Sequence, residues 1–339
     1  MKAALAGLAY SGKTSIFKAL TSVDAGKKDE SIGSIKVPDE RIDFLCSVYH
    51  PKKTTYAEFI LTDLNVQEKS SIIPAKTKSI IQKSELLILV LRNFDSVMTE
   101  SPRNPLAEYN KLMDEIVITD FIVIENRLER QKKEQRKLPE QKILEKLHFI
   151  LGENRFPGDE EISGEEMRLL NNYNFLSLKK CMVLINQPEG ETEIPSDLEK
   201  KLCENNMAYF PISAALECEL NELSRDEQVS FLESYGLKET GKERFIREAY
   251  RTMGLISFLT CGEDECRAWP IKSSSKAVDA ASRIHSDIAR GFIRAETISF
   301  DDFKRLGSEA ECKKAGLYRL EGKEYIVKDG DIINFRFNV

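Results

Sequence analysis

Gly7-Leu8-Ala9-Tyr10-Ser11-Gly12-Lys13-Thr14 is the stretch whose reading decides the fold. Its spacing is G-x-x-x-x-G-K-[ST], the pattern of a phosphate-binding loop. Gly7 and Gly12 let the backbone turn around an anion with no Cβ in the way. Successive N–H groups then point inward as a nest, and the helix that follows adds its positive end. Lys13 is placed to reach the outer phosphates and the Thr14 hydroxyl to take one position on Mg²⁺. Tyr10, Ser11 and Ser15 belong with the loop as candidate nucleotide contacts. The competing reading is a Gly-containing turn beside a surface lysine. Context decides against it: an apolar run, Ala3 to Ala6, precedes the motif and a helix-like segment, Ser15 to Leu20, follows. That is the strand–loop–helix order the chemistry needs. The run is rich in alanine, a poor strand former.

A chain of 339 residues suffices for two or three domains with ample core. At 41% hydrophobic and 31% charged residues it has the composition of a soluble globular protein. The net charge of −6 gives no global attraction to nucleic acid, so any such contact must be local. No apolar run reaches the length of a membrane span and no secretory signal opens the chain, which points to the cytoplasm and to no membrane partner. The seven cysteines (46, 181, 203, 218, 261, 266 and 312) form no C-x-x-C and have no partners at zinc spacing. They read as reduced cytosolic thiols, which argues against metal or redox roles.

Along the chain, Val23 to Ser31 is polar and reads as a mobile loop, where P-loop GTPases carry switch I. No Thr occurs between Thr21 and Thr54 to serve there; Ser31 and Ser34 are the nearest hydroxyls. Glu58 to Asp63 reads as a strand ending in an acid. Asp63 is either the acid that holds Mg²⁺ or a strand-end cap. A GTPase would continue D-x-x-G; here the sequence is Asp63-Leu64-Asn65-Val66, and valine cannot give the close backbone approach of glycine. Leu86 to Leu91 and Met182 to Ile185 have the composition of buried parallel strands. Apolar runs thus stop at Asp63, at Asn186 and at Ser213-Ala214, and ligands of open α/β sheets bind beyond such strand ends. Asn186-Gln187-Pro188-Glu189 stands where GTPases place N-K-x-D to read guanine; the longer acid predicts weaker guanine specificity, and a plain strand-end turn is the alternative.

Between these runs, Leu112, Ile116, Phe121, Ile124 and Leu128, then Ile143, Leu147, Ile150 and Leu151, recur at helical steps. They predict an amphipathic helical hairpin with Pro139 near its bend. Its tip, Arg127 to Lys137, carries six basic and two acidic residues, which suits RNA phosphates or a solvated helix face. From about Gly254 the pattern changes to short strands around a helix predicted over Ser275 to Arg290, with a further helix over Glu309 to Ala315. Tyr318 to Leu320, Tyr325 to Val327 and Ile332 to Phe337 read as its last strands. This β-grasp-like module holds 14 Lys+Arg and 14 Asp+Glu from Met253 onward. His285, within it, has no acid–base partner in view and reads as structural.

The strings Arg267-Ala268-Trp269, Ile284-His285-Ser286-Asp287-Ile288-Ala289-Arg290-Gly291-Phe292-Ile293-Arg294-Ala295-Glu296, Glu321 to Asp331 and Phe335 to Val339 resemble the C-terminal TGS domain of the YchF/Obg-like ATPase family. The N-terminal P-loop, the helical insertion, Asn186-x-x-Glu189 and Pro211-Ile212-Ser213-Ala214 are similar to that family in order and position. The resemblance covers essentially the whole chain. It implies an α/β fold: a P-loop NTPase G domain with a mostly parallel sheet, an inserted α-helical hairpin and a C-terminal β-grasp (TGS) domain. The expected division is 1–95 and 177–252 for the G domain, 96–176 for the helical insertion and 253–339 for the TGS domain. The resemblance also implies Mg²⁺ with ATP or GTP as cofactors and the ribosome or structured RNA as partner. Expected nucleotide contacts are Gly7, Tyr10, Ser11, Gly12, Lys13, Thr14, Ser15, Asn186, Glu189, Ser213 and Ala214, with Thr14 and Asp63 on the metal. The chain departs from the family in three places. Tyr10-Ser11 replaces its Asn-Val, the switch I Thr is missing, and D-I-A-G-L-V-K-G becomes Asp63 to Ser70 with both glycines gone. Weak or lost hydrolysis follows as an expectation, with a nucleotide-independent interaction module carrying a vestigial G domain as the alternative.

Overall fold

A computed structural model of the chain describes residues 1–25, 30–64, 75–99, 101–134, 139–158 and 161–338. The elements begin with β1 (Lys2–Ala6), α1 (Lys13–Thr21), β2 (Glu30–Val37), α2 (Glu40–Tyr49), β3 (Lys53–Thr55), β4 (Ala57–Leu64), α3 (Ala75–Lys83) and β5 (Leu86–Arg92). Then come α4 (Pro105–Glu134), α5 (Gln141–Gly152), α6 (Gly164–Leu170), a 3₁₀ turn, β6 (Lys180–Asn186), α7 (Ser196–Glu204), β7 (Ala208–Ile212), α8 (Ala214–Leu220), α9 (Arg225–Ser234) and α10 (Gly241–Met253). The remainder is β8 (Leu255–Thr260), β9 (Glu265–Lys272), α11 (Ala277–Ile284), α12 (Ser286–Arg290), β10 (Phe292–Ser299), α13 (Phe300–Leu306), α14 (Glu309–Lys314), β11 (Arg319–Glu321) and β12 (Asp331–Phe337). These form two compact units, Met1–Ile35 with Ile60–Ala249, and Lys36–Phe59 with Tyr250–Val339.

The first unit is built on a sheet of order β2-β4-β1-β5-β6-β7. β1 runs parallel to β4 and β5, and β5, β6 and β7 are parallel in turn. β5 is buried along its whole length, the condition under which a strand reads as one unbroken apolar run. β1 is a strand despite its alanines: between two long neighbours, Ala3, Ala4, Leu5 and Ala6 are all buried, and packing overrides propensity. The register sets Leu5 beside Asp63 and Arg92 beside Asn186, so the polar strand ends fall along one side of the sheet.

The start of α4 packs on this sheet through Tyr109, Leu112, Met113 and Ile116. Farther along, Val117 and Ile124 meet Ile143, Leu144, Leu147 and Leu151 of α5, which completes the expected hairpin. Arg92 and Glu108 form a buried ion pair at its root. The Arg92 backbone N–H donates to Glu108 Oε2 at 2.9 Å, and its guanidinium also reaches the Thr99 hydroxyl and the carbonyls of Phe94, Ser101 and Pro102. Much of the basic tip is internally paired: Arg127 with Glu140, Arg130 with Glu134, Lys133 with Glu129. Arg136 and Lys137 lie outside the described residues.

The second unit has a sheet of order β11-β10-β12-β8-β9-β3. Phe258, Ala277, Ala280, Ala281, Ala295, Ile333 and Phe335 make its core between sheet and helices. The helix expected over Ser275 to Arg290 is broken at His285, whose φ of −161° is extended, giving α11 and α12. Only a single bridge, Lys276 to Ile326, forms where a strand over Tyr325 to Val327 was expected. Helix α13 had no reading from sequence, although Ser299 caps it through the Asp302 N–H and Gly307 closes it at φ 78°. Residues 36–59, which the sequence reading joined to the N-terminal G domain, pack here. Arg41 bonds Asp39 and Asp329, Phe44 meets Phe300 edge-on, Tyr49 stacks on Phe303, and β3 pairs with β9. Trp269 of β9 donates its indole N–H to Thr260, under the Arg267 guanidinium at 3.9 Å.

The Arg92–Glu108 pair yields a stability prediction. Arg92→Met leaves Glu108 buried without its counter-charge and should cost about 3–5 kcal/mol. Arg92→Met combined with Glu108→Leu should regain at least half of that loss. Urea unfolding of both variants is the check, and equal destabilisation would show that the two groups do not depend on one another.

Candidate phosphate-binding site

The loop between β1 and α1 has the conformation its glycines permit. Gly12 sits at φ 86°, ψ 21° as the residue before α1, and a Cβ there would collide with the Asn186 amide nitrogen. A Cβ on Gly7 would lie 2.6 Å from the Val90 carbonyl oxygen. Neither position therefore tolerates a side chain. Tyr10 is also left-handed, at φ 64°, with 58% of its surface exposed. Asparagine and glycine enter that region more readily than tyrosine, so Tyr10 there carries a conformational cost. Ser11 is wholly buried, its N–H donates to the Leu8 carbonyl, and its hydroxyl has no partner among the described residues. Ser15 is exposed, and its carbonyl accepts from the Cys218 thiol at 3.9 Å.

Lys13 is buried and folds back on the loop, its Nζ donating to Gly7 O at 2.9 Å and Leu8 O at 2.8 Å. Burial lowers its pKa, opposed by the charges of Asp63 and Glu108. The Thr14 hydroxyl donates to Asp63 Oδ2 at 2.7 Å. Asp63 is 1% exposed, and its Oδ1 has no partner among the described residues. Burial raises the Asp63 carboxyl, against the Thr14 bond and the Lys13 charge. An orphaned carboxylate oxygen beside a hydroxyl is a hard-oxygen pair that fits Mg²⁺, an ion that keeps waters and takes phosphate oxygens for its other positions. Among the described residues no cluster of His, Cys, Asp or Glu could hold a metal by itself.

At the other end, Asn186 gathers three segments. Its amide donates to Ser11 O at 3.3 Å, its Oδ1 accepts from Ala214 N at 3.2 Å, and its backbone carbonyl accepts from Asn93 N at 2.7 Å. Ser213 caps α8 by accepting from the Leu216 N–H. Glu189 is not brought to this cluster: it is exposed beyond β6 and makes no hydrogen bond or ion pair among the described residues. Gln187 is buried, with Asn93 donating to its Oε1 and its own amide donating to the Glu191 carbonyl. Asn93 and Phe94 were missed from sequence. Phe94 Cε1 stands 3.8 Å from the space a Gly12 Cβ would fill, beside the loop. The rule that singled out Asp63 and Asn186, a polar residue ending an apolar strand, applies equally to Asn93 after β5. Ser31 and Ser34 lie within β2, the former buried and the latter exposed. Val66 and Gln67 fall outside the described residues.

Burial of Asp63 sets a pH-dependent cost. A carboxyl held above its ordinary pKa binds its proton more tightly in the folded chain, so stability falls as pH rises through that window. Asp63→Asn should raise the melting temperature of the ligand-free protein by about 2–4 °C at neutral pH, for roughly 1 kcal/mol gained. The gain should shrink as pH falls toward the ordinary carboxylate range. Thermal scans at the two pH values test this, and an unchanged or lower melting temperature at neutral pH would show that the carboxylate is not strained by burial.

Residues 255–338 match the YchF-GTPase_C family model, described as "Protein of unknown function (DUF933)". Over its full length the chain is 33% identical to the "Ribosome-binding ATPase YchF" of Bacillus subtilis, covering 100% of both sequences. It is 32% identical to the Pasteurella multocida protein of the same name, covering 100% of this chain and 99% of that one. Among solved structures, the Schizosaccharomyces pombe YchF GTPase superposes with a TM-score of 0.85 at 26% identity, over 99% of this chain and 97% of the other. A GTP binding protein from Pyrococcus horikoshii superposes with a TM-score of 0.64 at 16% identity over 100% of both chains, a likeness of fold alone. With its two compact units built as described and its identity to these relatives sustained from end to end, the chain belongs to the YchF family.

Proposed function

We propose that this protein binds ATP or GTP with Mg²⁺ at Gly7 to Thr14 and associates with the ribosome in the cytoplasm. The observation that carries the nucleotide reading is the buried Asp63 carboxylate, one oxygen on Thr14 and the other unpartnered among the described residues, at the end of a glycine loop closed by Asn186. When bound, Mg²⁺ supplies neutralising charge for the phosphates. Thr14 and Asp63 would hold it, and Lys13 would exchange the Gly7 and Leu8 carbonyls for phosphate oxygens. Exchange suits a lysine whose burial already disfavours its charge. At the base, Asn186 shapes the inner wall, the Phe94 ring offers an apolar face, and the exposed Glu189 leaves guanine without a buried acid. A site without that buried acid discriminates weakly between the purines. Hydrolysis is proposed to be slow, since Val66 replaces the glycine amide and no switch I Thr is available.

Ribosome association rests on the relatives that carry that name. No described helix is long and apolar enough to cross a membrane. Two surfaces are proposed to meet the ribosome: the hairpin tip, and the β-grasp module through Arg290 and Arg294. Arg290 pairs with Asp287, while the Arg294 guanidinium rests 3.4 Å from the space over Gly322.

Titration calorimetry tests the nucleotide reading. Lys13→Ala should weaken Mg-ATP binding about 100-fold, the loss of roughly 2–3 kcal/mol from a charged hydrogen-bond donor. Equal affinity in the two proteins would remove the phosphate-loop assignment. ATP and GTP should bind within about tenfold of one another, whereas a site that pairs guanine's donors with a buried acid separates them by far more. Ribosome co-sedimentation should fall steeply with salt. Reversing Arg130, Lys132, Lys133 and Arg136 should flatten that dependence with nucleotide affinity unchanged, and a charge-reversed protein that pellets like the parent at every salt makes the tip a solvated helix face.

A further inference from the structure

Cys46 and Cys266 are 220 positions apart, so no spacing rule pairs them, yet the fold of the second unit brings them together. Helix α2 packs against β9. The Cys46 thiol lies 3.2 Å from the Thr54 hydroxyl, and Thr54 is the register partner of Cys266 in the parallel β3–β9 ladder. Register partners present their side chains on the same face of a sheet, so Cys46 stands over the face that carries Cys266. Cys266 is fully buried while Cys46 is half-buried, and both are free thiols.

We propose that Cys46 and Cys266 are a peroxide-sensitive thiol pair that closes to a reversible disulfide, covalently joining α2 to β9. Their environments divide the work. Burial pushes the Cys266 thiol up, so it is a poor first nucleophile. Cys46 is the thiol that solvent reaches. Its thiolate attacks one oxygen of a hydroperoxide; the O–O bond breaks, the other oxygen leaves as water or alcohol, and Cys46 becomes a sulfenic acid. Cys266 sulfur then attacks the Cys46 sulfur, the S–O bond breaks, and water leaves with the Cys266 proton. Two thiols are oxidised and one peroxide is reduced. A neighbouring thiol already in place makes capture faster than further oxidation of Cys46. Cys261, five residues before Cys266 and also a free thiol, is the nearby competitor.

Peptide mapping of the full chain decides the matter. The protein is treated with stoichiometric hydrogen peroxide, alkylated and digested. The expected result is a Cys46–Cys266 linked peptide, loss of two of the seven free thiols, and recovery of both on reduction with dithiothreitol. Cys46→Ser should abolish the link while leaving the Cys266 thiol alkylatable after unfolding. The wild-type map stands alone if that variant folds poorly. Cys46 oxidised to sulfinic acid without a link, a disulfide to Cys261 instead, or all seven thiols intact would each overturn the pairing.

Discussion

The approach of the Asn186 amide to the backbone of Gly12 is the constraint on which the candidate site depends. One side chain at the end of β6 holds the phosphate loop through Ser11, the start of α8 through Ala214 and, by its own backbone, the segment leaving β5 through Asn93. Nothing larger than hydrogen fits at Gly12 while Asn186 is there. The loop is thus held from behind by the sheet as well as by its own contacts. Rigid support beneath a site of mobile ligands is how a preorganised cradle avoids the cost of forming anew at each binding event.

Within that frame the charged groups are unsettled. Lys13 occupies backbone carbonyls and Asp63 leaves one oxygen unpaired among the described residues, both against the cost of burial. Buried polar groups left partly unsatisfied in an otherwise well-paired interior commonly mark function. Arg92 is the contrast: equally buried, it is saturated by Glu108, Thr99 and three carbonyls, and it serves structure.

Local structure was legible in the sequence where it depends on adjacent residues. The phosphate loop, the strand-end Asp63 and the amphipathic hairpin each follow from spacing within one segment. β1, read as a strand from its place before the loop and against the poor propensity of its alanines, is held as one by β4 and β5. The misses need partners from elsewhere in the chain. The break at His285 is invisible in helix periodicity, since Ile284 and Ile288 keep the helical spacing across it. Residues 36–59 lie between segments of the first unit in sequence but find Phe300, Phe303, Asp329 and β9 in space. At the candidate site, sequence placed Glu189 by analogy with N-K-x-D, whereas the described contacts gather Asn93, Gln187 and Phe94 near Asn186.

Trp269 is the chain's only tryptophan, and it belongs to the second unit. Its indole is held by Thr260 on one side and capped by Arg267, with Phe258 stacked near it. Selective excitation of tryptophan therefore observes that unit alone, with no background from the unit that bears the phosphate loop. Emission and far-ultraviolet dichroism followed in one denaturation would resolve whether the two units melt as one cooperative block or in sequence, a distinction that no single global probe can make.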